Sequence, residues 1–133
     1  MWQTNDLTKR LGIRYPLLQA PMAIVTTPAL AAAVAESGGL GALGCAVLSG
    51  DQVREQVAAF RQMTSRRFPI HLNFFVHKRP KRNPGKEQSV SRNVPDGLPL
   101  WAGQAAPLVR EGMAADIVNR LVRETEEALR RVS

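Results

Sequence analysis

The sequence predicts an α/β fold of parallel strands, and three observations carry that expectation. Short apolar runs of strand length at 16–20, 40–48 and 68–75 alternate with segments of helical spacing. The two helices between them open on their own cap signals, Thr27-Pro28 and Ser49 with Gln52 three residues on. Parallel neighbours also need a crossover, which a helix supplies. The expected organisation over residues 1–76 is βαβαβ, with strands near 16–20, 41–46 and 69–75 joined by right-handed crossovers.

A short helix comes first, capped by Thr4, with Leu7 and Leu11 on one face and Gly12 as its stop. The first strand ends at Pro21, which has no N–H for a sheet ladder. An Ala-rich helix over 29–36 then stops at Gly38-Gly39, and the second strand contains Gly41 and Gly44. Glycine inside a strand marks a close approach of backbone to a helix or a ligand. Val53, Val57 and Phe60 recur on one face of the third helix. In the third strand the two-residue period turns His71 and Asn73 to one side and Ile70, Leu72 and Phe74 to the other.

The pattern breaks after Val76. Residues 77–97 contain Pro80, Pro84 and Pro95 and no usable periodicity, and they read as a basic flexible linker. Residues 98–133 read as helical, first around 104–111 and then over 114–132, with Ile117, Leu121, Ala128 and Leu129 as the expected apolar face. Glu126–Arg130 and Glu127–Arg131 are i, i+4 pairs in the favourable order.

Length and composition bound the function. The 133 residues suffice for one domain, whereas a complete (β/α)8 barrel takes about 250. Net charge is +7, and between His77 and Arg92 the six cations Lys78, Arg79, Lys81, Arg82, Lys86 and Arg92 stand against Glu87 alone. A solvated segment explains that run, and with no interleaved aromatics it argues against nucleic acid as a partner. Cys45, the single cysteine, lies in an apolar run and reads as a buried thiol. No secretory signal and no apolar stretch of about 20 residues is present, so no membrane association is expected and a cytoplasmic location is the default. P-loop, HExxH, paired CxxC and GxSxG motifs are absent.

The blocks Leu11-Gly12-Ile13-Arg14-Tyr15-Pro16, Gln19-Ala20-Pro21-Met22-Ala23, Thr27-Pro28-Ala29-Leu30, Gly38-Gly39-Leu40-Gly41 and Leu72-Asn73-Phe74-Phe75 together resemble the start of a nitronate monooxygenase (2-nitropropane dioxygenase family). A second block, Leu100-Trp101-Ala102-Gly103-Gln104-Ala105 and the helices after it, is similar to the C-terminal end of that family. The resemblance implies a partial (β/α)8 TIM barrel. Residues 1–76 would be the N-terminal part of an FMN-binding barrel, and 98–133 its C-terminal helical segment. Strands four to eight, the loops for the FMN phosphate and the base histidine would fall between the blocks, where this sequence holds only a basic segment of about twenty residues. A truncated or internally deleted, inactive form is therefore expected, with an unpaired sheet edge open to self-association.

The same resemblance assigns site residues. Pro21, Met22 and Ala23, at the carboxyl end of the first strand, would pack against the flavin of FMN, and Asn73 would bond it. Ile24 stands where the family often has Gly and would crowd the ring. Without the resemblance, Pro21 and Met22 read as a strand end and a core residue, and Asn73 as an amide bonding a neighbouring loop. An unpaired buried amide costs about 1–3 kcal/mol, so Asn73 needs some partner. His71 and His77, the only histidines, match no family base: His71 reads as an interior polar residue and His77 as solvated. Gln104 reads as a helix-start residue, and Trp2 and Trp101 as packing anchors.

The leading expectation is oxidation of an alkyl nitronate with FMN and O2, the chemistry that the resemblance implies. An FMN-dependent enoyl-ACP reductase shares the N-terminal blocks and is the alternative within the fold. A non-catalytic basic protein, binding nucleic acid or an acidic partner through 78–92, is the alternative outside it. Salt dependence separates the last, since binding to phosphates by several cations weakens steeply as salt rises.

Overall fold

Local signals start each helix of the computed structural model, which describes residues 2–74 and 110–132. α1 (Asp6–Leu11) is capped by Asn5, one residue after the expected Thr4, because Asn5 and Thr8 exchange backbone and side-chain hydrogen bonds in a capping box. Gly12 closes α1 at φ 65°, where a side chain would be strained. α2 (Pro28–Glu36) begins with Thr27 accepting from Leu30 N–H and Pro28 in its first turn, as expected. α3 (Gly50–Gln62) opens on the Ser49–Gln52 box.

The sheet contains β1 (Gly41–Gly44) and β2 (Ile70–Asn73), parallel, in the register Gly41↔Ile70 to Gly44↔Asn73. Both lie inside the expected ranges and are shorter than them. The expected first strand at 16–20 is reduced to one parallel bridge, Leu18↔Leu40, flanked by Gln19 N–H to Leu40 O at 3.0 Å and Leu40 N–H to Leu17 O at 2.8 Å. Pro16 and Pro21 bracket that segment and neither can donate to the ladder, so pairing does not extend past it. Even so, the three segments are side by side and parallel, with β1 in the middle.

The register sorts side chains between two faces. Leu43, Ile70 and Leu72 face the helices and join a cluster of Ala31, Ala32, Ala35, Cys45, Phe60 and Phe68. A Cβ on Gly41 would run into the Ala31 carbonyl, so the missing side chain lets α2 lie directly on β1. The thiol of Cys45 is buried as expected, and desolvation raises its pKa.

α4 (Ala114–Val132) matches the expected range but not the expected face. Val118 and Val122 are 6% and 9% exposed, whereas Leu121 and Leu129 are 43% and 40% exposed. At about 100° per residue Val118 and Val122 lie toward one edge of the arc that the four expected positions span, and in the helix that packs on α2 that edge is the buried one. Gln3 donates to Glu126, Trp2 stacks on Tyr15 at 6.4 Å between centroids, and Glu126–Arg130 closes at 3.9 Å. The expected linker at 77–97 and the helix around 104 lie outside the described residues. Among the described residues, no helix is long and apolar enough to cross a membrane.

At the far end of α2, Glu36 accepts from Ser65 N–H at 2.5 Å and from Ser65 Oγ at 3.0 Å, tying the helix to the α3–β2 loop. These bonds, backbone first, hold the Glu36 pKa below its ordinary value. A depressed folded pKa contributes stability above the unfolded carboxylate pKa, and that contribution is lost as pH falls through the folded value. Glu36→Gln is therefore expected to lower the neutral-to-alkaline plateau of a stability–pH curve and to flatten its acid limb, the two proteins converging at low pH. Thermal melts at stepped pH check this.

Candidate functional site

Three parallel segments end at one edge of the sheet, and the turn that follows the first brings Ala23 into line with Asn73 at the end of the third. After Gln19 the chain leaves β1, so two β1 amides lose their backbone acceptors. Side chains supply replacements: Ala42 N–H donates to Gln19 Oε1 and Gly44 N–H to Thr26 Oγ1, each at 3.0 Å. With Leu40 N–H on Leu17 O, alternate amides along this edge are all satisfied.

The departing segment closes on itself. Met22 O accepts from Val25 N–H at 3.3 Å, from Thr26 N–H at 2.9 Å and from Thr26 Oγ at 2.9 Å. With three donors on that carbonyl, the trans Met22–Ala23 peptide turns its N–H the opposite way, out of the turn, where it has no acceptor among the described residues. The same peptide lies directly over Gly44, where a Cβ would overlap Ala23 N and Met22 C. Gly44 pairs with Asn73, so Ala23, Gly44 and Asn73 form a row across the strand ends.

Asn73 is half-buried on the face opposite the helices, and its amide makes no hydrogen bond among the described residues. Pro21 is half-buried and Met22 about half-exposed in the same turn. His71 pairs with Ala42 one layer further from the strand ends; it is exposed, in place of the interior position expected for it. His77, Trp101 and Gln104 lie outside the described residues. No group of side chains able to hold a metal ion occurs among the described residues.

Ile24 takes φ 72° and is 84% exposed. A β-branched residue in the left-handed region is strained by about 1–2 kcal/mol. The triple hold on Met22 O forces that conformation, and no buried contact of the side chain offsets it. Ile24→Gly is expected to raise stability by about 0.5–1 kcal/mol, the relieved strain less the added freedom of the unfolded chain. A shift in the urea midpoint at unchanged slope checks it.

Sequence reasoning missed Gln19, Thr26 and the particular role of Gly44. Gln19 carried a signal, an amide in an apolar run of strand length, the same reasoning that singled out Asn73. Its Nε2 is buried and has no hydrogen-bond partner among the described residues. Thr26 carried none.

Comparison with known proteins decides the family. The nitronate monooxygenase family model matches residues 4–95. This chain belongs to the nitronate monooxygenase family. A probable nitronate monooxygenase of Staphylococcus aureus strain JH9 is 43% identical over 72 residues, which are 54% of this chain and 20% of that protein. The chain thus spans about a fifth of the length of the curated relatives it matches. Among solved structures, FabK from Thermotoga maritima is 31% identical with a TM-score of 0.52, covering 69% of this chain and 29% of that one. A point mutant of the same FabK gives 33% and 0.53. With parallel segments alternating with helices, the fold is a partial (β/α)8 TIM barrel of the nitronate monooxygenase family. In such barrels the active site lies at the carboxyl ends of the strands, the edge at which Ala23, Gly44 and Asn73 line up.

Proposed function

We propose that residues 19–26, Gly44 and Asn73 form one wall of an FMN site serving oxidation of alkyl nitronates by O2, and that the 133-residue chain alone is catalytically silent. The observation carrying this reading is the row of Ala23, Gly44 and Asn73, whose Ala23 N–H and Asn73 amide lack partners among the described residues. A flavin ring edge offers acceptors and donors to such groups, and a glycine beneath the turn keeps the surface flat. Pro21 and Met22 shape the turn around them. Bound FMN would supply the redox chemistry, while the protein positions it and excludes water.

The fit is to the ring end. A phosphate is usually held by free backbone amides at a helix N-terminus. Here Thr27 caps α2, and Ser49 with Gln52 caps α3. Among the described residues no base is provided either, since His71 stands one layer from Asn73 and exposed. α4 packs on α2, the first helix to follow a strand, which favours reading it as the last helix of the same barrel.

Flavin titration followed by fluorescence, with O2 uptake on a propyl nitronate, tests the reading. Weak FMN binding that Asn73→Ala weakens further, without turnover, is expected. Stoichiometric binding at low micromolar FMN, with turnover lost in Asn73→Ala, would overturn the silent assignment. No interaction with flavin at any concentration would overturn the site. The likeness to FabK gives some support to a second reading, an FMN-dependent enoyl-ACP reductase fragment.

A further inference from the structure

We infer that Thr26 is a positioning residue, whose hydroxyl fastens the Met22–Ala23 peptide to β1 and so presents the strand-end wall in its binding-competent form. The inference rests on the reading of that wall as a flavin-ring site. It concerns a residue outside the row itself.

The geometry singles out this hydroxyl. Thr26 Oγ accepts Gly44 N–H at 3.0 Å and donates its one proton to Met22 O at 2.9 Å, so one of its bonds crosses from the turn to the strand and the other closes the turn at the Met22–Ala23 peptide. Around Gly44 the first segment has already left the ladder, and the nearest other tie is Gln19 Oε1 on Ala42. Met22 O keeps Val25 N–H and Thr26 N–H even without the hydroxyl, so the turn itself can survive its loss. What is lost is the attachment of the turn to Gly44 and, with it, the stacking of the Met22–Ala23 peptide over that glycine. The Gly44 N–H would also be left without its acceptor, which favours a lifted turn that admits water. Thr27, next in sequence, caps α2 and makes no bond to β1, so it separates loss of stability from loss of position.

The test uses lumiflavin, the ring without ribityl phosphate, titrated by fluorescence against the full chain and its Thr26→Val, Thr26→Ser and Thr27→Ala variants. If the wall is attached in only about a tenth of Thr26→Val molecules, apparent affinity falls about tenfold, since it scales with the competent fraction. Thr26→Ser restores the hydroxyl and is expected to bind as the parent does. Thr27→Ala melts at lower temperature yet keeps the parent affinity. Equal weakening in Thr26→Val and Thr27→Ala, or no rescue by serine, would reduce Thr26 to a structural residue and overturn the inference.

Amide hydrogen exchange gives a readout independent of flavin. Gly44 N–H is expected to be protected in the parent and in Thr26→Ser and to exchange faster in Thr26→Val; unchanged protection in Thr26→Val overturns the inference. If the parent binds no lumiflavin, the flavin reading of the wall fails, and with it the functional part of this inference.

Discussion

Phe60→Ala is expected to lower the unfolding free energy by about 3–5 kcal/mol, the range for truncating a buried aromatic side chain. Phe60 is wholly buried, and its ring lies in the cluster that α2, α3 and both strands share. Removing it leaves a cavity lined by Ala31, Ala32 and Ala35 on one side, and alanines have no side chain with which to collapse inward. Small domains have total stabilities of about 5–15 kcal/mol, so the variant should be largely unfolded at moderate urea. Val57→Ala, on the same helix but half-buried, should cost much less. Urea unfolding followed by circular dichroism measures both. A loss below about 1 kcal/mol for Phe60→Ala would mean that the helices and sheet do not share one packed core.

Gly44→Ala comes next in size and couples stability to the site. An added Cβ would occupy the space of the Met22–Ala23 peptide, and backbone cannot rotate away as a flexible side chain can. Either the strand shifts or the turn lifts, at about 1–3 kcal/mol for an overpacked site. Lifting breaks the Gly44–Thr26 bond, so flavin affinity should fall at least as far as in Thr26→Val. Gly12→Ala is the control. It has open space around the position but a left-handed φ of 65°, so it should lose stability and keep the site. Retained flavin affinity in Gly44→Ala would place the ring elsewhere.

The caps of α2 and α3 were legible in the sequence because their causes lie within four residues: Thr27 with Leu30, and Ser49 with Gln52. The facing of His71 and Asn73 was legible because strand alternation is equally local. Legibility fails where the deciding partner is distant in sequence. Gln19 meets Ala42 and Thr26 meets Gly44 only because the first segment departs from the ladder. Nothing near Thr26 announces that. The buried face of α4 was misread for the same reason, since α2 chooses Val118 and Val122 from a broad apolar arc. The family blocks located Met22, Ala23 and Asn73 in the chain, and the structure explains why Gly44 accompanies them.

The docking of α4 on α2 bears on how much chain can lie between residues 74 and 112. α4 and the first 74 residues belong to one compact unit, joined through α2 and through Gln3 with Glu126. The cost of bringing such ends together grows only with the logarithm of the intervening length, and each doubling adds about 0.6 kcal/mol. A connector of a few dozen residues and one several times longer thus impose nearly the same entropic load on this unit. The seam between α2 and α4 therefore tolerates large insertions and deletions between them. Evolution or an engineer could vary the middle of the chain widely while the strand-end wall stays in place.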